Sequence, residues 1–191
     1  MEAELKSGWL VTQIELLKTL HGYEKKGVNN KIGCIDYVAS DGDENKLLRV
    51  VIDPKLNISK AYTDTIRSTK ELLENENYGD AVILAEKVSQ GAKKLIREEE
   101  SLDYISPALV HPYSPSELIY AIQKKTGELC KLRCGKVPKT ESDCKGYQDG
   151  EYTCPVRRIS DNADFHAERG WLELLMNDFS QLVGLQREMN E

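Results

Sequence analysis

Apolar and polar positions alternate with two different periods along the chain, and the changes of period mark out its elements. Between Ser7 and His21, Leu10, Ile14, Leu17 and Leu20 fall at helical spacing on one stripe, with Ser7 placed to cap the start and Gly22 to end it. Tyr23–Val28 then reads as an edge strand and Asn29-Asn30 as a turn. In Lys31–Ser40 the period falls to two: Ile32, Cys34, Asp36 and Val38 share one face, and Gly33, Ile35, Tyr37 and Ala39 the other. Both faces are largely apolar, which predicts a strand covered on both sides with one acid, Asp36, in its middle. The Asp41-Gly42-Asp43 turn is too short for a crossover, so Lys46–Asp53 returns antiparallel, and Pro54 ends its pairing.

Helical and strand periods then take turns. Ser59–Asn75 predicts a helix with Tyr62, Ile66, Thr69 and Leu73 on one face, Asp80–Ala85 a short buried strand, Ser89–Glu100 a helix with Ala92, Leu95 and Ile96 inward, and Leu102–Ile105 a last strand. This β-α-β texture predicts parallel strands within a mixed sheet that has helices on its faces, an α/β fold. A boundary near 107–113 divides the chain into domains 1–109 and 110–191. In the second, Ser114-Pro115-Ser116-Glu117 starts a helix that runs to about Lys125. A Gly-, Lys- and Cys-rich loop region from Gly127 to about Ser160 precedes a terminal helix, about Asp164 to Arg187. That helix bears Leu172, Leu175, Met176, Phe179, Leu182 and Val183 on one stripe. Trp171, Leu174 and Leu185 lie partly off it, which suits either core packing alone or a homodimer.

Composition narrows the classes. The 191 residues are 40% hydrophobic and 30% charged, which is too apolar for a disordered chain. No stretch approaches the roughly 18–20 apolar residues of a membrane span, and the opening residues lack the pattern of a signal peptide, so a cytoplasmic protein without membrane contact is expected. The net charge of −6 argues against non-specific coating of nucleic acid and leaves room for a local basic groove.

Asp36 lies mid-strand, and the following strand ends in Asp53-Pro54-Lys55, where Asp53 and Lys55 project from one face if the strand continues. Two carboxylates suit a hard cation such as Mg²⁺, and a lysine beside them can hold the attacking water and steady charge on a phosphodiester. The same residues also have a plain structural reading: a strand-ending turn at Asp53-Pro54, a solvated Lys55, and an Asp36 satisfied by hydrogen bonds within the sheet.

Four stretches together resemble the PD-(D/E)xK nuclease superfamily, in its Mrr-type and RecB-like branch. They are Gly8-Trp9 through Gly22-Tyr23, Gly33-Cys34-Ile35-Asp36, the strand Val50–Lys55, and the segment Asp80–Glu99. The resemblance spans about residues 8–107. It implies a restriction-endonuclease-like mixed central sheet flanked by helices, with a C-terminal helical and cysteine-rich appendage added here. It also implies a Mg²⁺-dependent DNA endonuclease in which Asp36 is the first acid of the motif, Asp53 the second and Lys55 the lysine. Glu15 matches a less regular extra acid, or is a solvated helix glutamate. Ser89 and Lys93 or Lys94 match positions that can touch phosphate. Relatives usually carry Glu or Gln at the second acid and no proline inside the triplet. Pro54 therefore also suits a catalytically degenerate member, a scaffold that binds DNA or a DNA-associated protein such as a transcription factor.

Cys130, Cys134, Cys144 and Cys154 form C-x3-C-x9-C-x9-C, and four thiolates suit a structural Zn²⁺ that would order a segment poor in apolar residues. Free cysteines are the alternative. Lys131, Arg133, Lys136, Lys139, Lys145, Arg157 and Arg158 give this region a basic bias, either a nucleic-acid contact or a solvated loop. His166 could replace one thiolate but, near a helix start, is expected to be exposed or capping; His21 and His111 are expected to be structural, and Cys34 a small core residue.

Overall fold

The computed structural model describes residues 7–42, 44–52, 59–76, 78–107 and 113–190. The chain divides into two compact units, Met1–Pro112 and Tyr113–Glu191.

The first unit opens with α1, Gly8–His21, whose N-terminus is capped by Ser7 Oγ accepting the Leu10 amide and whose end is set by Gly22 at φ 72°. A left-handed residue there lets its N–H reach the Lys18 carbonyl, which is why glycine stands at that position. Leu10, Ile14 and Leu17 are buried as the stripe requires, and Leu16, Thr12, Gln13 and Thr19 are buried as well, so α1 is enclosed on a much wider arc than one stripe. Strands β1 (Glu24–Asn29), β2 (Cys34–Asp41) and β3 (Glu44–Val51) form an antiparallel meander. Helix α2 (Ser59–Asn75) then carries the chain to β4 (Tyr78–Leu84), and α3 (Gln90–Arg97) to β5 (Leu102–Ile105), both parallel to their predecessors. The sheet order is β1-β2-β3-β4-β5, so the sheet is mixed.

Register fixes the two faces. Leu47, Ala81 and Leu102 lie side by side across β3, β4 and β5, and with Cys34, Val51, Ile83 and Tyr104 they form a core cluster with Ile66 of α2 and Ala92 and Ile96 of α3. Ile35, Tyr37, Leu48 and Val50 point the other way and are equally buried, with Lys18 of α1 over the Tyr37 ring. The two-sided burial read from β2's composition is what the sheet has. The exposed edge β1 carries Glu24, Lys25 and Lys26, charges that discourage a further strand from adding.

The second unit packs three helices pairwise: α4 (Pro115–Cys134), α5 (Pro155–Glu168) and α6 (Leu172–Asn190), with a two-stranded hairpin, β6 (Tyr147–Gln148) and β7 (Glu151–Tyr152), between the first two. Two expectations are corrected here. The helix at Ser114 does not stop near Lys125. It runs through Gly127 to Cys134, because Leu129 extends the buried row Leu118, Ile122, Lys125 by one more turn, and that burial outweighs the ~1 kcal/mol cost of a helical glycine. Likewise, the single terminal helix is two. Pro155 starts α5 well before Asp164, and Gly170 at φ 67° turns the chain into α6. The irregular segment between α4 and α5 is correspondingly shorter than the expected Gly127–Ser160 region. Among the described residues no helix is long and apolar enough to cross a membrane.

Candidate functional site

The register of the β2–β3 pair places Asp36 directly opposite Arg49. Directly opposed residues of an antiparallel pair share a face, and this face is the one covered by α2 and α3. There Arg49 Nε donates to Asp36 Oδ1 and Nη2 to Oδ2, both at 2.8 Å, a bidentate fork. The remaining edge of the guanidinium is held from α2: Nη1 donates to Ser68 Oγ at 2.7 Å and to Thr69 Oγ1 at 3.0 Å. Both hydroxyls donate in turn to the Thr65 carbonyl. The Arg49 side chain is 1% exposed and that of Asp36 14%. Burial works against the charge on Arg49, but the hydrogen bonds and charge of Asp36 outweigh it and raise the pKa of the guanidinium. Cys34, two residues before Asp36 on the same face, has its thiol pushed up by burial to about 11.

Across the other edge of β2, Asp36 faces Gly27, and the register shifts between Lys25 and Gly27. The extra residue is Lys26, which bonds Glu76 and donates to Tyr78 Oη at 2.8 Å. A bulge bends its strand and re-aims side chains, and this one lies beside the central acid.

Asp53, Pro54 and Lys55 lie outside the described residues, as does His111. The register places odd-numbered β3 residues, Leu47, Arg49 and Val51, on the Asp36 face. Glu15 forms an ion pair with Lys18 at 3.1 Å and adds to the rise that burial causes in the pKa of Tyr37, whose side chain points to the face opposite that of Asp36. Glu15 therefore belongs with Lys18 and Tyr37 on the α1 side of the sheet. Ser89 caps α3, its Oγ accepting the Ala92 amide.

Arg49 was not anticipated. Counting outward from the Asp41–Glu44 turn pairs 36 with 49, so a lone arginine within an apolar run opposite a lone aspartate was the available signal.

In the second unit, Cys130 and Cys134 stand one helical turn apart at the end of α4, where Gly135 at φ 73° terminates the helix. Cys144 precedes the hairpin and Cys154 follows it, directly before α5. All four thiols are free. Burial pushes the Cys130 thiol up, Arg157 pulls it back, and Cys154, Cys134 and Cys144 each push it further, so the four sulfurs share one electrostatic neighbourhood. As they stand, no three His, Cys, Asp or Glu side chains among the described residues converge closely enough to hold a metal ion. His166, expected exposed or capping, instead bonds Asp178 through Nδ1 at 2.6 Å, tying α5 to α6. Burial raises the Asp178 pKa and the His166 hydrogen bond works against that rise.

No protein-family model matches the chain, and no curated protein matches it. Among solved structures, the chain is similar to the Acinetobacter baumannii Cap4 SAVED/CARF-domain containing receptor with the cyclic trinucleotide 3'3'3'-cAAA. The identity is 10% and the TM-score 0.41, over 92% of this chain and 48% of that one. The same receptor in a further structure gives 10% and 0.41 over 95% and 46%. The Moraxella osloensis Cap4 SAVED/CARF-domain containing receptor gives 9% and 0.37 over 94% and 46%. The chain thus spans about half the length of these receptors.

Proposed function

We propose that the first unit is a restriction-endonuclease-like module that cleaves DNA with Mg²⁺, Asp36 and Asp53 serving as the acids and Lys55 as the lysine of the motif. The observation that carries this reading is the setting of Asp36. It is the one acid in the buried middle of β2, beside a bulge, and its carboxylate is held in a fixed orientation by an arginine that α2 in turn immobilises. The order α-β-β-β-α-β and the mixed sheet flanked by helices agree with the resemblance.

A carboxylate has about four lone-pair positions, of which the fork takes two, and ligating carboxylates are ordinarily hydrogen-bonded from behind in this way. Asp36 therefore fits the role of one oxygen ligand. A bound Mg²⁺ supplies Lewis-acid polarisation of the phosphodiester. Arg49 holds the Asp36 carboxylate in its orientation through the two-point fork, and Lys55 orients water and balances charge on the phosphate.

A second reading has its own observation. Both Asp36 oxygens are already engaged in a buried ion pair, which suits a scaffold of the same fold that binds DNA or a DNA-associated protein without cutting. Supercoiled plasmid with Mg²⁺ or Mn²⁺ separates the two. The nuclease reading expects nicking or linearisation by the pure chain, lost at least about 100-fold in Lys55→Ala and Asp53→Ala. An intact plasmid with wild-type protein, together with retention of the DNA in a gel shift, establishes the scaffold.

A further inference from the structure

We propose that Cys130, Cys134, Cys144 and Cys154 form a structural tetrathiolate zinc site in the second unit, with Arg157 as the outer hydrogen-bond partner of its sulfurs. This inference is independent of the nuclease reading.

Three observations carry it. The first is the placement of the thiols. Two project from the same side of the last turns of α4, and two bracket the β6–β7 hairpin, so a helix end and a knuckle-like turn each offer a pair. The hairpin brings Cys144 and Cys154 towards each other: the Tyr147 amide donates to the Cys144 carbonyl, and the Thr153 amide donates to Gly146 at 2.7 Å. Gly146 lies so close to Cys154 that an added Cβ would meet the Cys154 Cβ at 2.6 Å and its amide nitrogen at 3.0 Å. The second is how little apolar burial orders the segment; a Thr140–Asp143 capped turn is its other local tie. Of residues 135–154 only Cys144 is buried, and the ring packing is a Tyr147–Tyr152 pair with the Arg157 guanidinium 5.0 Å over Tyr152. Two strands of two residues are not stable alone, and the thiols form no disulfide.

The third observation is Arg157 itself. Its Nη2 donates to Tyr152 Oη at 3.1 Å, but its Nε is buried without an acceptor among the described residues. A buried N–H left without an acceptor is destabilising, so it points to a missing acceptor. Besides Tyr152, the groups that act electrostatically on its guanidinium include Cys130 and Cys144. Four thiolates around Zn²⁺ keep a net negative charge, and an N–H···S bond from Arg157 meets both needs. A bound Zn²⁺ would be held by these four cysteines and would supply to this segment the folding free energy that its small apolar content does not. Each cysteine loses its thiol proton on binding, and no electron is transferred.

The test uses the full chain purified without chelator. Metal analysis should find about one zinc per chain, and Co²⁺ exchanged into the site should give the intense near-ultraviolet thiolate charge-transfer and visible bands of tetrahedral coordination. Cys144→Ser and Cys154→Ser should each lose the metal, while Cys34→Ser keeps it. Arg157→Gln should retain it with affinity weakened on the order of tenfold. The cobalt spectrum of the wild-type chain needs no variant to fold. Zinc-free protein, iron in place of zinc, a mapped disulfide among the four cysteines, or zinc retained by the Cys144→Ser, Cys154→Ser double variant each overturns the proposal.

Discussion

Arg49 carries its charge into the interior because one edge of its guanidinium is neutralised by Asp36 and another is held by Ser68 and Thr69. Breaking such a pair strands a buried charge, so Arg49→Ala and Asp36→Ala should each cost ~3–5 kcal/mol in urea unfolding. Arg49→Lys should recover only part, since an ammonium cannot serve both carboxylate oxygens and the two hydroxyls in one plane. Replacing both partners by apolar residues of similar volume should be milder than either single change. A loss below 1 kcal/mol in the single variants would show that the fork does not hold the sheet to α2. Cys34 gives a pH dependence. Its folded pKa of about 11 stands above the ordinary 9.0, so the stability present below pH 9 is lost as the pH rises through 11. Cys34→Ala should remove on the order of 2 kcal/mol of that alkaline loss, read from unfolding curves between pH 8 and 11. Curves of equal slope for variant and wild type would assign the loss to other groups.

Element boundaries follow from where burial overrides local preference. In α4 an alanine Cβ at position 127 would meet only Val137 Cγ2, at 3.9 Å. Gly127→Ala should therefore stabilise the second unit by up to ~1 kcal/mol in thermal unfolding. Gly170 has φ 67°, so Gly170→Ala should destabilise it by roughly 1–2 kcal/mol. Melting shifts of the same sign in both would contradict the helix assignment. The sheet unit was legible in sequence because its periods are clean: Cys34, Asp36 and Val38 alternate with Ile35, Tyr37 and Ala39, and the turn at Asp41 fixes the return strand. The second unit was not, because Gly127 and the run of Lys and Cys after it mimic a loop while only Leu129 and Cys130 report the buried face. Pro155 was a start signal hidden among charged residues. Of the candidate site, Asp36 was legible as a lone acid in an apolar strand. Its partner was not, because periodicity describes one strand at a time and the Arg49 fork exists only across two.

Each of the two units has a core of its own, one built on a sheet and one on three helices. A metal-held second unit should therefore respond alone: on adding a strong chelator, amide exchange should accelerate across Tyr113–Glu191 and stay unchanged in β2, β3 and β4. Equal acceleration in both units would tie the thiols to the fold of the entire chain. Within the sheet unit, the pairing of residue 36 with residue 49 also limits how its length can vary. One residue inserted within β3 between Lys46 and Leu47 reverses the parity of every later position on the strand, sending the arginine towards α1 and a leucine towards α2. Two inserted residues preserve parity. Chains descended from a common ancestor with this one should thus differ within that strand by even steps, or should have lost the aspartate and the arginine together.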